Sequence, residues 1–513
     1  MNYQIRHSLK LLAILALAGG SKAAVELDKI NTLSTGLGEG SAEISSFDTG
    51  SDKLFVINSG FASFSVFDFT DPLSVPAPTT VDLSSYGAGP NSIASFNGLV
   101  AVAVEANTVT DPGAVVFFDV NGNHLRTLTV GALPDMLTFN RAGDQLVVAN
   151  EGEPEAGINP EGSVSLIDLS QGVANATVNT VSFAAFNVGQ PRHGELPAEI
   201  ILLDTVTVAE DLEPEYIAIS EDDAEAYVTL QENNAVAVIN LNSQTVTAIQ
   251  ALGFKDHSLV GNELDPSDRD GPGGTGAINL NTWPVKGIYM PDAIAAANIG
   301  GTNYYLTANE GDARDEDDRI KNLTLDPAAF PQAATLQQDA QLGRLDAQTN
   351  LGTGPMGFTE LYVYGGRSFS IWDASSGAQV FDSGSEIAMK VAELNPELFN
   401  ANDSTAAKFD ERSVNKGAEP EGITVASAKG KDLAFIGLER VGGIMVYDIS
   451  NPALATFESF VTATDGDVAP EGLLFIPAAN NASGEDLLVV SYEDTGTLAV
   501  FRLIEVIFKN SFE

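Results

Sequence analysis

Short apolar runs alternate with polar turns along this chain, and the same succession of runs returns seven times. The clearest run is rich in β-branched and aromatic residues, and in six of seven copies it ends in Asp or Asn just before a turn. Such runs predict β-strands, and the terminal Asp or Asn is predicted to accept a hydrogen bond from the turn backbone. The seven copies are 63–68, 114–119, 163–168, 235–240, 368–373, 443–448 and 497–502.

Repeats of this size predict an all-β fold, a seven-bladed β-propeller with four-stranded antiparallel blades. The last copy ends after its third strand, whereas residues 25–33 form a spare strand at the other end of the chain. We expect this N-terminal strand to complete the last blade and close the ring, which would remove exposed sheet edges.

Residues 1–23 read as a signal peptide. Arg6, His7 and Lys10 precede an apolar stretch at 11–18, and small residues allow cleavage after Ala23. The expected location is therefore extracellular, at the cell surface or in the periplasm. The propeller is predicted to span 24–505, followed by a short tail at 506–513, and no later segment reads as a transmembrane helix.

Three insertions interrupt the repeats, at 187–212, 251–289 and 311–360. In a four-stranded meander the connections between strands two and three lie on the same face as those between successive blades. All three insertions fall in such connections, so they are predicted to decorate one mouth of the central channel. Loops on a rigid scaffold are a common place for function.

Acidic residues recur at matching places in the repeats and point to the same mouth. One set follows a proline at the start of strand one, and a second set follows the end of strand two. Oxygen ligands crowded without countercharge suit Ca²⁺ better than zinc; the alternative is that each acid bonds backbone amides of a neighbouring blade. The predicted metal ligands, with Asp312 from an Asp-rich loop, are Asp135, Glu151, Glu215, Asp292, Glu310, Asp312, Glu421, Glu439, Glu471 and Glu493.

Composition supports cations as partners. The chain has 70 Asp and Glu against 25 Lys and Arg, a formal net charge of −45, which disfavours nucleic acid and anionic membranes. A simpler explanation of the negative charge is that it keeps the protein soluble. The chain has no Cys and only four His, and it lacks a GxSxG motif, so a usual zinc or serine-hydrolase site is not indicated.

Two further features bear on ligands. The loop 265–271 alternates Asp with other residues and ends in Gly, as Ca²⁺-binding loops do. Arg314 and Arg367 are predicted on the acidic mouth, where arginine beside a metal could bind an anionic substrate. We take them as candidate catalytic residues; local ion pairing is the alternative.

The phrases ANEGEP at 149–154, MPDAI at 290–294, ANEGDAR at 308–314, GRSFSIWD at 366–373 and GAEPEGI at 417–423 resemble those of secreted bacterial choice-of-anchor I proteins. That family is related to mesenchyme-specific, biomineralisation-associated cell-surface glycoproteins of animals. The resemblance covers nearly the whole mature chain and implies an exported propeller. The PEGI phrase at 420–423 is also similar to phytase-like propellers, in which Ca²⁺ clusters hold phosphate, and some relatives are labelled phosphatases.

Three functions remain open from the sequence. The first is a monomeric Ca²⁺-binding propeller that binds surface components or mineral. The second is a Ca²⁺-dependent phosphoesterase of alkaline-phosphatase or phytase type, acting on phosphorylated small molecules through metal-activated water. The third is a propeller lactonase or other esterase.

Overall fold

Strands dominate the computed structural model, which describes residues 23–203, 205–312, 317–462 and 466–506. The predicted signal peptide up to residue 22, the candidate Arg314 and residues 507–513 of the predicted tail lie outside the described residues. The chain is all-β, built mainly from four-stranded antiparallel sheets.

Within the described ranges, seven sheets have four strands each, numbered here in chain order. Sheet one comprises Ser45–Asp48, Lys53–Asn58, Ser63–Asp68 and Thr79–Asp82. Sheet two comprises Pro90–Phe96, Leu99–Val104, Pro112–Asp119 and His124–Ala132. Sheet three comprises Pro134–Phe139, Gln145–Asn150, Ser163–Asp168 and Thr177–Ser182. Sheets four and five comprise Pro214–Ile219, Glu225–Leu230, Ala235–Asn240 and Thr245–Ala251; and Ile294–Ile299, Thr302–Ala308, Phe369–Asp373 and Gln379–Asp382. Sheet six comprises Pro420–Ala428, Lys431–Leu438, Ile444–Asp448 and Thr456–Val461; sheet seven comprises Pro470–Ile476, Leu487–Tyr492, Thr497–Val506 and Ala24–Ser34.

The apolar core lies between neighbouring sheets. One buried cluster joins each consecutive pair, from sheets one and two to sheets six and seven. A further cluster packs Val489 and Val500 of sheet seven against Val56 and Phe67 of sheet one. The first strands also contact one another in chain order, and the first strand of sheet seven contacts that of sheet one.

The N-terminal strand Ala24–Ser34 pairs antiparallel with Thr497–Val506 and supplies the outer strand of sheet seven. Its start is also fastened to sheet six, because the N–H of Val25 donates to Glu458 at 2.8 Å and Ser459 donates to the carbonyl of Val25 at 2.8 Å. The N-terminal strand therefore pairs with the third strand of the last repeat, as predicted.

Two of the three insertions join in a separate mixed sheet, called here the inserted sheet. Its strands, in spatial order, are Phe254–Asp256, Lys286–Ile288, Tyr362–Tyr364, Asp346–Gln348 and Asp317–Arg319, and the second and third run parallel. Trp283 and Phe330 are buried in its own small core. A two-stranded hairpin, Thr353–Gly354 with Gly357–Phe358, lies beside it in the chain.

Helices are few and short: Val208–Asp211, Ala333–Leu336 and Glu386–Leu394. The last belongs to a long connection, residues 383–419, between sheets five and six. This connection was not predicted, because it has no counterpart in the other repeats. Within the described ranges, no helix has the length and apolar character needed to cross a membrane. The 3₁₀ turns are Ser59–Phe61, Val173–Asn175, Ala184–Phe186, His193–Glu195, Ile320–Asn322, Leu342–Arg344, Pro396–Leu398, Ala406–Lys408, Pro452–Leu454 and Ala478–Asn480.

The predicted turn role of the terminal Asp and Asn residues is confirmed. Asp168 accepts from the N–H of Ser170 at 2.8 Å, and Asn240 accepts from that of Ser243 at 2.8 Å. Equivalent bonds are made by Asp68, Asp119, Asp373 and Asp448.

Candidate functional site

The proline–acid step forms a β-bulge that is repeated in four sheets. In sheet three, Pro134 is paired with Asn150 and Leu137 with Val148, so the first strand carries one extra residue. The same shift occurs after Pro214, Pro420 and Pro470. Proline has no N–H to donate and a bulge leaves residues outside the regular ladder. The acid that follows each proline is thereby released from the regular pairing of its strand.

Acids from different sheets lie near enough for their charges to act on one another. Asp292 of sheet five feels the charges of Asp135 from sheet three and Glu439 from sheet six. Glu471 of sheet seven feels those of Asp292 and Glu43. We call the ten predicted metal ligands the channel acids: Asp135, Glu151, Glu215, Asp292, Glu310, Asp312, Glu421, Glu439, Glu471 and Glu493. Burial raises the pKa of nine of them, and Asp312, the tenth, is 67% exposed.

Burial makes the charged form of these groups costly. It raises the pKa of Asp135 to about 7. Burial, followed by repulsion from Glu419, raises the pKa of Glu439 to about 8. Burial and then the charge of Glu471 hold the pKa of Glu421 well above its ordinary value. Groups of this kind take up protons or bind cations.

Several channel carboxylate oxygens have no hydrogen-bond partner among the residues that the structure describes. Glu215 is 7% exposed and Glu439 is 8% exposed, and Oε2 of each is buried without a partner. The same holds for one oxygen of Glu43, Glu232 and Glu421. A buried acceptor without a donor is costly, so the sequence alternative, in which every acid bonds neighbouring amides, does not account for these oxygens.

Tyr216 lies among the channel acids. It follows Glu215 in the bulge of sheet four and packs against the cores on both sides of sheet five. Its pKa is raised by burial and then by the charges of Asp292 and Glu471. This aromatic side chain therefore stands next to carboxylates from several sheets, and nothing in the repeats singled it out.

One part of the mouth contains its own cations. Glu310, Glu419 and Glu439 bring ligand atoms within 4.8 Å of one another, a spacing suited to a metal ion. Lys416 already occupies this region: its Nζ lies 2.5 Å from Glu310 and 3.4 Å from Glu419. Nζ also lies 3.2 Å from the exposed Asp312.

Two arginines complete the charge balance of that cluster. Arg412 contacts the fully buried Glu419 at 2.5 Å, and Arg440 contacts Glu439 at 2.7 Å. Lys416, Arg412 and Glu419 all come from the end of the connection 383–419, and sequence reasoning missed all three. The cations neutralise Glu310 and Glu419, whereas Glu215 and Glu421 have no ion pair among the described residues.

Arg367 is buried and its guanidinium is bonded to the backbone. It is 8% exposed, and its guanidinium donates to the backbone carbonyls of Asp265, Ser413 and Asn415 at 2.9, 3.0 and 2.6 Å. Burial lowers its pKa to about 10. These bonds tie the inserted sheet's loop to the connection 383–419. Its predicted catalytic role, like that of Arg314, stays a prediction.

A repeated asparagine orients the end of strand two. The side-chain amide of Asn150 donates to Ser165 Oγ at 3.0 Å, and that of Asn309 donates to Ser370 Oγ at 2.9 Å. Asn58 makes the same bond to Ser65 at 3.1 Å. Asn150 and Asn309 immediately precede Glu151 and Glu310, so these buried bonds fix the backbone that presents two channel acids. The Ser-x-Ser pattern in strand three was the available signal.

The ends of the first strands line a different opening. A cavity of about 280 Å³ there is lined by apolar side chains, such as Ile299 and Phe475, and by charged ones, Arg141, Glu221 and Asp432. This cavity therefore has a mixed lining.

Comparison with known proteins places these features in context. A family model described as "Choice-of-anchor I domain" matches residues 43–452. Gigasin-3a of Magallana gigas is 34% identical over 190 residues, covering 33% of this chain and 67% of that protein. The mesenchyme-specific cell surface glycoprotein of Strongylocentrotus purpuratus is 28% identical over 218 residues, covering 33% of this chain and 26% of the glycoprotein, so the chain spans about a quarter of its length.

The solved structures that match this chain share little sequence with it. Kuenenia stuttgartiensis hydrazine synthase has a TM-score of 0.47 at 12% identity, covering 90% of this chain and 96% of that one. The Neurospora crassa Pan2 WD40 domain has a TM-score of 0.46 at 8% identity, covering 94% and 96%.

Proposed function

Because the chain belongs to the choice-of-anchor I family, we propose that it is a secreted or cell-surface β-propeller whose channel acids bind Ca²⁺. The observation that carries this proposal is the pair of buried, unpartnered oxygens on Glu215 and Glu439. They stand in a centre to which several sheets contribute carboxylates. A divalent cation would satisfy those oxygens and offset the repulsion between them.

The donor chemistry favours Ca²⁺. The channel acids offer oxygen alone, from strands rather than from one rigid loop, and Ca²⁺ accepts six to eight oxygens in flexible geometry. Thiolate is absent from the chain and imidazole is scarce, so the soft and borderline metals have few of their preferred ligands.

The proposed arrangement is a ring of seven blades closed by the N-terminal strand. It is supported by the contacts between successive first strands and by the cluster between sheets seven and one. Because the chain has no Cys, a disulfide can test the closing pair. Asp28 and Arg502 are partners in register and form an ion pair at 2.7 Å. The double variant Asp28→Cys, Arg502→Cys should crosslink under mild oxidation, whereas Asp28→Cys with Glu505→Cys should not.

The cellular role we propose is Ca²⁺-dependent binding to a cell surface or to mineral. The name of the sea urchin relative places that glycoprotein at a cell surface, and the net charge of −45 gives this chain affinity for cation-rich surfaces. Depletion of the protein from solution by calcium carbonate particles, compared between wild type and the double variant Glu215→Gln, Glu421→Gln, tests the mineral branch. Equal depletion of an uncharged control protein would argue against it.

Calorimetric Ca²⁺ titration of chelator-treated protein tests the central claim. Wild type should bind Ca²⁺ and unfold at a higher temperature with it. The double variant Glu215→Gln, Glu421→Gln should lose affinity at least tenfold, because two carboxylates with unpartnered oxygens are neutralised. Glu485→Gln, at an exposed loop position, is the matched control. Unchanged binding in the double variant would contradict the channel site.

A Ca²⁺-dependent phosphoesterase is the second candidate. Arg440 favours it, because this side chain lies beside Glu439 at the mouth yet keeps 32% of its surface exposed. The test is hydrolysis of p-nitrophenyl phosphate with and without Ca²⁺. Activity that needs Ca²⁺ and falls in Arg440→Ala or Arg314→Ala would support this function. If no Ca²⁺-dependent hydrolysis is measured, the phosphoesterase function is excluded and the binding function stands.

A further inference from the structure

One position among the acids of the mouth already holds a cation from the protein itself. Glu310, Glu419 and Glu439, called here the glutamate triad, bring ligand atoms within 4.8 Å of one another. In the part of the chain that the structure describes, no other group of His, Cys, Asp and Glu side chains meets this spacing. The ammonium group of Lys416 lies 2.5 Å from Glu310 and 3.4 Å from Glu419, so the triad is a position that binds positive charge.

The lysine leaves part of the triad unsatisfied. Glu439 is 8% exposed, and its Oε2 is buried without a hydrogen-bond partner among the described residues, whereas its Oε1 lies 2.7 Å from Arg440. A buried acceptor without a donor is costly. Ca²⁺ accepts six to eight oxygens in flexible geometry, so one ion could contact all three glutamates. The unpartnered oxygen therefore favours a metal ion over the ammonium group alone.

Lys416 has a second acidic partner on the solvent side. Its Nζ lies 3.2 Å from Asp312, whose side chain is 67% exposed, whereas the side chains of Glu310 and Glu419 are 9% and 0% exposed. The lysine side chain is a flexible four-carbon stem with a compact charge at its end. Rotation about its bonds can therefore carry the ammonium group from the triad to Asp312 while it keeps one ion pair.

The local charge leaves room for a further cation. Four carboxylates, those of the triad and Asp312, face three cationic side chains, which are Lys416, Arg412 and Arg440. Arg412 is paired with Glu419 and Arg440 with Glu439. When Lys416 pairs with Asp312 alone, the three glutamates retain only the two arginines. A divalent ion at the triad then meets a surplus of negative charge.

We propose that the glutamate triad is a Ca²⁺ position and that Lys416 is its intramolecular competitor, which moves to Asp312 when the ion binds. This inference rests on the proposed Ca²⁺-binding function and names the regulation of that site. A competing state lowers the apparent affinity in proportion to its population. The lysine would therefore set the Ca²⁺ concentration at which the mouth fills, and would keep the glutamates paired below it.

Displacement of Lys416 can be measured in the wild-type protein. Its side chain is only 12% exposed, so acylation by N-hydroxysuccinimidyl acetate, located by peptide mass spectrometry, should be slow in chelator and several-fold faster in Ca²⁺. Lys431 is the matched control, because its side chain is also 12% exposed and its Nζ lies 2.7 Å from Glu458. Its acylation rate should not respond to Ca²⁺. An unchanged rate at Lys416, in protein that calorimetry shows to have bound Ca²⁺, would overturn the proposal.

Two variants test the competition from opposite sides. Lys416→Met removes the competitor and should raise the Ca²⁺ affinity about tenfold. Asp312→Asn removes the second partner of the lysine and should lower the affinity. Asp111→Asn, at another exposed loop position, should bind as wild type. Wild-type affinity in both test variants would contradict the competition; if Lys416→Met does not fold, wild-type affinity in the exposed variant Asp312→Asn is sufficient to contradict it.

Failure of the channel function gives a different result. If wild type binds no Ca²⁺, if Lys416→Met binds it, and if the added change Glu439→Gln abolishes that binding, the channel function fails and the competition stands. If wild type binds Ca²⁺ and loses affinity in Glu215→Gln, Glu421→Gln, while Lys416→Met and Asp312→Asn bind as wild type, the channel function stands and the competition fails.

Discussion

Lys416 holds its ammonium group 2.5 Å from a carboxylate oxygen of Glu310 in the acidic mouth. The lysine has a raised pKa because the charges of Glu310 and Glu419 outweigh the cost of burial. It therefore acts as a built-in cation at the position where three glutamates could hold a metal.

Replacing this lysine should make the protein depend on Ca²⁺. Lys416→Met leaves Glu310 and Glu419 with less compensation, and breaking a buried ion pair costs about 3–5 kcal/mol. We expect the free energy of unfolding in chelator to fall by about that amount and Ca²⁺ to restore more of it than in wild type. Denaturant unfolding with and without Ca²⁺ measures both. Lys390→Met, which breaks a surface pair with Glu393, should change little; equal losses in the two variants would contradict the prediction.

Without Ca²⁺, stability should fall as the pH rises. The folded-state pKa is about 7 for Asp135 and about 8 for Glu439, both above their ordinary values. The folded protein then binds more protons than the unfolded chain, so the stabilisation is complete at low pH and is lost as the pH rises through 7 to 8. Melting temperatures between pH 6.5 and 8.5 in chelator should decline, and saturating Ca²⁺ should flatten the curve.

Variants provide the control for that slope. Asp135→Asn with Glu439→Gln removes two of the titrating groups and should reduce the decline. His257 does not contribute to this slope, because burial lowers its pKa to about 3. Its titration affects stability only at pH values below about 6.5. A profile that rises with pH in chelator would show that the channel acids are not protonated in the folded state.

The repeated asparagine should be worth more than a surface amide. Asn150→Ala leaves Ser163 and Ser165 without the amide that bonds them in the core, and an unsatisfied buried polar group costs about 1–3 kcal/mol. Denaturant unfolding should show this loss. Asn175→Ala, at an exposed turn, serves as the comparison. An equal loss of unfolding free energy in that variant would contradict the special role of the buried amide.

Close packing of the first strands should make Gly472 intolerant of a side chain. A Cβ at this position would lie 2.6 Å from the carbonyl oxygen of Glu43, across the contact between sheets seven and one. Overpacking of this kind costs about 1–3 kcal/mol, so Gly472→Ala should lower the melting temperature. Gly194, with open space around it, should accept alanine freely. An unchanged melting temperature in Gly472→Ala would mean that the backbone at this contact shifts at little cost.

The sequence predicted best what the repeats carry. Strand three of each unit lies within one residue of its expected start or inside a longer strand. The bulge that releases Asp135 and Glu215 could not be read from the chain, because it is a mismatch in pairing between two strands rather than a pattern within one.

Non-repeated segments were the part that sequence reasoning could not place. Lys416 comes from a connection with no counterpart in the other repeats, and its partner Glu310 lies 106 residues away. Arg367 directly precedes a repeated strand, yet packing from the inserted sheet buries it. Each of these outcomes depends on long-range docking, which local patterns do not encode.

The pairing of the N-terminal strand with Thr497–Val506 has a consequence for the order of folding. Sheets one to six can form from consecutive stretches of chain, but sheet seven needs residues separated by more than 460 positions. Closing so long a loop is slow relative to local pairing. The completion of sheet seven should therefore be the last step of folding. A chain that is still emerging from the ribosome or translocon cannot complete this sheet.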